Sequence, residues 1–131
     1  MRFTTKSEYA VRAVICLAQM QGSAPVRTKA IAEKEGISRF LMDQIFMKLR
    51  KSGLIKSIRG RSGGYAFIKD PKKISIGDII RSIEGPISIL KCCGADSSCK
   101  RTSVCRPHYM WKKINGDIEK ALNKAKIGAL L

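Results

Sequence analysis

Cys93, Cys99 and Cys105 stand with five residues in each gap, and His108, the only histidine of the chain, follows after two more. Thiolates and an imidazole in so short a stretch form a ligand set for a soft metal centre. Structural zinc sites favour ligand pairs roughly two to four residues apart, whereas wider gaps carrying Gly94 and several serines suit an open loop around a larger inorganic centre. Three thiolates and one imidazole fill the four protein positions of a 2Fe-2S cluster, and a nitrogen ligand raises its reduction potential. A 4Fe-4S cluster completed from elsewhere, for instance by Glu8 of the partner subunit, is the second reading, and zinc is the third. Cys92 competes with Cys93 for the first position. Cys16, inside the apolar run Ala13-Val14-Ile15-Cys16-Leu17-Ala18, reads instead as a small buried hydrophobe.

Helices must hold this loop. Tyr9, Ala13, Cys16, Leu17 and Met20 form the apolar stripe of a first helix from about Lys6 to Gln21, with Gly22 as a stop. Thr28 is expected to cap a short second helix carrying Ile31 and Ala32 and ending at Gly36. Ser38 then caps a third helix reaching about Ser52, with Leu41, Ile45 and Leu49 on one side and Met42 and Phe46 beside them. Two short helices joined by Glu35-Gly36-Ile37-Ser38 look like a helix-turn-helix, whose second helix enters the DNA major groove. Leu54-Ile58 and Tyr65-Ile68 flank a glycine-rich tip from Arg59 to Gly64, a hairpin that completes a winged helix. Asp70-Pro71 closes it, Ser75 and Asp78 resemble a capping box opening a helix with Ile76, Ile79, Ile80 and Ile83 inward, and Gly85-Pro86 ends that helix. Pro107 opens a last helix, on which Met110, Trp111, Ile114, Ile118, Leu122 and Ala125 step by three or four, a seam for another helix, weakened at Asn115-Gly116. The fold class is mainly α with a small β-hairpin, a winged helix-turn-helix followed by a long C-terminal helix.

Charge points to the partner. Lys and Arg number 26 against 10 Asp and Glu, a net charge of +16, and such self-repulsion calls for a polyanion, nucleic acid before a membrane surface. Lys48, Arg50, Lys51, Lys56, Arg59 and Arg61 occupy the end of the third helix and the hairpin with no acidic residue among them. If Leu41, Ile45 and Leu49 face inward, Arg39, Phe40, Asp43, Gln44, Met47 and Lys48 project outward behind the capping Ser38. Arg39 and Gln44 can read guanine and adenine edges, Phe40 can press on a thymine methyl or pack on the first helix, and Asp43 can accept from a cytosine amino group while repelling phosphate. Arg59, beside Gly60 and Arg61 at the root of the tip, suits a narrow minor groove. No apolar run is long enough for a membrane span, and the start Met1-Arg2-Phe3-Thr4-Thr5-Lys6 lacks a signal peptide's apolar core, so a cytoplasmic protein is expected, whose thiols stay reduced. An enzyme is not expected: no nucleophile–base pair or phosphate loop is present, and the metal site claims the sole histidine. An electron-transfer protein and a zinc-stabilised nucleic-acid-binding module are the readings from other classes.

Met1-Arg2-Phe3-Thr4 with Tyr9-Ala10, Gly36-Ile37-Ser38, Leu49-Arg50-Lys51-Ser52-Gly53-Leu54, Arg59-Gly60 followed by Gly63-Gly64-Tyr65, and the three cysteines resemble the IscR/NsrR-type iron–sulfur winged-helix transcription regulators of bacteria over nearly the whole chain. The resemblance implies a homodimer joined through the last helix, a two-fold operator in double-stranded DNA, cluster loops near the dimer interface, and no small-molecule substrate. His108 resembles the IscR-like choice, which implies a 2Fe-2S cluster held by Cys93, Cys99, Cys105 and His108 and control of iron–sulfur assembly genes. The similar nitric-oxide-sensing branch takes its fourth ligand from the partner's first helix. Asp43 matches an acidic position that helps to separate promoter classes. The chain thus divides into a DNA-binding region over 1–74, a connecting helix over 75–90, a cluster loop over 91–108, and a dimerisation helix and tail over 107–131.

Overall fold

The computed structural model describes residues 2–22, 24–94 and 99–131. Helix α1 (Thr5–Met20) starts where the Thr4 hydroxyl accepts from the Ser7 amide, satisfying one of the free amides of the first turn. It buries Ala10, Ala13, Val14 and Leu17, with Cys16 fully enclosed as a packing residue. Burial, and next the charge of Glu35, push the Cys16 thiol pKa up, so it stays a thiol. Helix α2 (Thr28–Glu35) ends at Gly36, whose φ of 67° is the left-handed conformation that glycine takes without a Cβ penalty. Ser38 accepts from the Leu41 amide and opens α3 (Arg39–Lys51), so Gly36-Ile37-Ser38 is the whole turn between the two helices. Met42, Ile45, Phe46 and Leu49 are fully buried on the inner side of α3, while Leu41 is only half-buried at its margin.

The wing is antiparallel β1 (Ile55–Ile58) and β2 (Gly64–Phe67), paired Ile55 with Phe67 through Ile58 with Gly64. The strands sit one residue off the expected runs, because Leu54 lies in the turn after α3 and Gly64 joins the ladder. Val26, just before α2, bridges β2 through both backbone bonds with Tyr65, 3.0 and 2.7 Å. That close approach needs Gly64: its φ is 148°, and a Cβ there would lie 2.5 Å from the Val26 carbonyl oxygen.

Helix α4 (Ile76–Glu84) begins with the expected capping box, in which the Asp78 amide donates to Ser75 Oγ and the Ser75 amide to Asp78 Oδ2. Ile79, Ile80 and Ile83 face the core against α1 and α3. At its C-terminus one Glu84 carboxylate oxygen accepts from the Thr4 amide and hydroxyl, both 2.8 Å, and from Ser7 Oγ at 2.6 Å, so α4 holds the start of α1. Partial burial pushes this carboxyl up, but the bonds from Ser7 and Thr4 outweigh it and hold it below its ordinary value. The stabilisation is therefore full above the unfolded-chain pKa, about 4.3, and is lost as the pH falls through the lower folded value. Glu84→Ala is expected to cost on the order of 1 kcal/mol at pH 7, and urea unfolding should show the gap from the parent protein closing in acid.

Helix α5 (His108–Lys124) follows Pro107, which takes the N-cap position rather than the first turn. Behind it Ile127 is fully buried, and the Ile127 and Ile76 amides donate to Ile74 and Ala125, clipping the chain end beside the start of α4. Among the described residues no helix is long and apolar enough to cross a membrane.

Two readings are corrected by packing. Thr28 does not cap α2, because Arg27 holds the cap position and Thr28, the first helical residue, is buried with its hydroxyl on Asp43. Asn115 does not weaken α5: it is the one buried residue of that helix, its Oδ1 accepting from the Ile89 amide at 2.8 Å and its Nδ2 donating to the Ile87 carbonyl at 3.3 Å.

Candidate nucleic-acid interface and cluster loop

The outer side of α3 carries the side chains expected there. Arg39, Phe40, Asp43, Met47, Lys48, Arg50 and Lys51 are exposed and Gln44 is half-buried. Phe40 does not pack on α1; at 76% exposure its ring stands in solvent. Ser38 Oγ accepts the capping bond from the Leu41 amide, which leaves its hydroxyl proton to donate elsewhere. Lys48 differs from its neighbours, since its ammonium donates to the Ile83 carbonyl at 3.2 Å and fastens α3 to the end of α4.

Arg59, Gly60 and Arg61 are exposed at the wing tip. There Gly60, at φ 110°, accepts from the Gly63 amide. Sequence reasoning missed the residue that holds this tip. The Arg27 guanidinium donates to the Gly60 and Arg61 carbonyls at 3.1 and 2.7 Å, crossing from the start of α2 to the hairpin. The basic residue beside Val26 was the available signal, but its partners lie more than thirty positions away. A cleft of about 300 Å³ results, lined by Arg27, Thr28, Arg39, Arg59 and Gly60 among others, so the start of α3 and the wing share one positive corner. Arg50 and Lys51 sit at the other end of the helix.

The cysteine loop leaves α4 through Ile87 and Ile89, both held by Asn115, and enters a single 3₁₀ turn, Lys91–Cys93. Cys92 and Cys93 are half-buried with their sulfurs 4.0 Å apart. Slight desolvation, then the hydrogen bond and charge of Cys93 and the charge of Cys99, push the Cys92 thiol up. Cys99 is exposed, and half-buried Cys105 precedes α5, its amide donating to the Arg101 carbonyl. His108 is the first residue of α5, and its Nδ1 is buried with no hydrogen-bond partner among the described residues. Among the described residues no three His, Cys, Asp or Glu side chains converge at metal-binding distance. Residues 95–98 of the expected cluster loop lie outside the described residues.

The donor set nonetheless fits an iron–sulfur centre chemically. A buried imidazole nitrogen with no partner is costly unless something binds it. Thiols in one loop, one of them at the positive end of a helix, supply the anionic ligands such a centre takes. Cys93, Cys99, Cys105 and His108 are the residues that would hold it.

The Rrf2 family, described as iron-dependent transcriptional regulators, matches residues 3–131. An HTH-type transcriptional regulator of Haemophilus influenzae is 37% identical over 131 residues, 100% of this chain and 87% of that protein. Among solved structures, T. potens IscR is similar with a TM-score of 0.73 at 35% identity, covering 99% of this chain and 86% of its own. CymR, the global cysteine regulator of B. subtilis, is similar with a TM-score of 0.77 at 30% identity, covering 100% and 98%. These proteins are regulators of transcription, not enzymes. A winged helix with a basic recognition face, matched over almost its full length, places the chain in the Rrf2 family of transcriptional regulators.

Proposed function

We propose that this chain is a cytoplasmic homodimeric regulator that binds a two-fold operator in duplex DNA and senses iron–sulfur status through a 2Fe-2S cluster held by Cys93, Cys99, Cys105 and His108, with iron–sulfur assembly genes among its targets. The observation that carries the sensing role is the buried Nδ1 of His108 at the start of α5, which has no hydrogen-bond partner among the described residues and closes the loop that holds the three thiols. The similarity to a protein called IscR supports it. Such a cluster supplies a redox- and iron-dependent cross-link between the loop and α5.

The chain's own residues carry the response. Asn115 fastens Ile87 and Ile89 to α5, Glu84 holds the start of α1, and Lys48 holds Ile83 to the recognition helix. A change in the order of the loop thus has a bonded route to α3. With half-sites spaced roughly 34 Å apart, a small rotation of either protomer becomes a large change in operator affinity. Only a ligand that favours one dimer form over the other can drive that change. The partner surface is the outward row Met110, Trp111 and Ile114 on α5 together with a groove of about 520 Å³ lined by Phe3 ahead of α1, Val11 on α1 and Ile80 on α4.

Anaerobic purification followed by iron and sulfide counts and an absorption spectrum tests the reading. About two irons and two sulfides per protomer are expected for one 2Fe-2S centre, with an altered spectrum in His108→Ala. Iron-free anaerobic protein would sink the cluster. An unchanged spectrum in the variant would move the fourth ligand to another residue, such as Glu8 of the partner subunit, and with it the reading to a 4Fe-4S, nitric-oxide-sensing type.

A further inference from the structure

Thr28 donates its hydroxyl to Asp43 Oδ1 at 2.6 Å, joining the first turn of α2 to the exposed side of α3. The threonine is buried, 8% exposed, and Asp43 is exposed. A threonine in a helix divides between two χ1 rotamers, and the bond to Asp43 selects one of them. Asp43 is the only acidic residue of α3. Among the described residues no Lys or Arg lies within ion-pair distance of it, and nearby Arg27 is committed to the wing carbonyls. Its carboxylate is therefore an unneutralised acceptor held in one orientation by one neutral donor.

We propose that Thr28 is a specificity-determining positioning residue, which rests on α3 being the recognition helix. It binds one oxygen of Asp43 and so fixes where the other meets a base edge in the major groove. An ionised carboxylate only accepts hydrogen bonds. Cytosine N4 and adenine N6 offer donors there, whereas guanine offers the acceptors N7 and O6. A free aspartate facing guanine rotates away and keeps its water, so the mismatch costs little. A tethered one cannot, and the repulsion against the wrong base is retained, which is how an affinity difference is made sharper without added contact to the right base.

The test is a set of relative dissociation constants for duplexes varied one base pair at a time, at fixed salt, for the parent protein, Thr28→Val, Thr28→Ser and Asp43→Asn. Valine keeps the shape and removes the donor. The parent should show a half-site position where cytosine or adenine is preferred to guanine. In Thr28→Val that preference should fall by roughly three- to tenfold, while Thr28→Ser should retain most of it. Asp43→Asn, which can donate, should accept guanine at the same position. Parent-like base ratios in Thr28→Val, even with a lowered melting temperature, would reduce the bond to a staple between α2 and α3 and overturn the proposal. A parent protein that binds all duplexes alike would instead remove the recognition-helix reading itself.

Discussion

Phe46→Ala is expected to destabilise the fold by about 3–5 kcal/mol. Phe46 is the largest fully buried side chain, set on the inner face of α3, and its ring meets Tyr65 of β2 with centroids 5.0 Å apart at 57°. Truncation removes its burial, leaves a cavity, and forfeits an aromatic pair worth on the order of 1 kcal/mol. Against a total stability of roughly 5–15 kcal/mol for a domain of this kind, much of the margin disappears. Urea unfolding followed by circular dichroism measures it, with Phe46→Leu as the milder partner. Because Tyr65 also bridges to Val26, the wing loses its inner support, and operator affinity should drop in any fraction that still folds. A loss under about 1 kcal/mol would mean that the centre of this core lies elsewhere.

Raising salt from 50 to 200 mM is expected to weaken operator binding by about a thousandfold or more, as for a dimer neutralising about six or more phosphates. The surplus of 26 Lys and Arg over 10 acidic residues sets the sign, and the cleft that gathers Arg27, Arg39 and Arg59 concentrates it where helix and wing meet. Individual residues should separate on the same plot. Arg59→Ala, which removes the side chain from both protomers, should lower the log–log slope by about two. Lys48→Ala should lower the slope less than Arg59→Ala and also lower the protein's own stability, because one of the three ammonium donors is used on the Ile83 carbonyl. A nearly flat salt dependence would exclude a polyanion as the partner.

Most of the helical frame was legible because its signals are local. Apolar spacing placed α1 and α3, and Ser38, Gly36 and the Ser75–Asp78 box marked ends whose partners lie within five residues. The hairpin followed from two β-like runs around glycines, though only the Val26 bridge explains why Gly64 belongs inside the ladder. Residues that failed to declare themselves have distant partners: Arg27 with Gly60, Thr28 with Asp43, Lys48 with Ile83, Asn115 with Ile87 and Ile89. A threonine before a helical pattern is a reasonable cap, and only tertiary packing turns it toward another helix. At the cysteine loop the candidate ligand types and their spacing are features of the sequence itself, whereas nothing local separates Cys92 from Cys93, and both thiols sit half-buried side by side.

Helix α5 spans seventeen residues, yet only Asn115 is buried within its own protomer, and Tyr109, Met110, Trp111 and Ile114 are all at least 40% exposed. A helix with so little of its surface covered draws most of its free energy from whatever docks on it. Where that is a second copy of the chain, folding and association become one equilibrium governed by mass action. The melting temperature should then climb with protein concentration, and dilution should first release α5 while the winged helix, which has its own core, persists. Affinities measured at low protein concentration would in that case report protomer supply as much as operator preference.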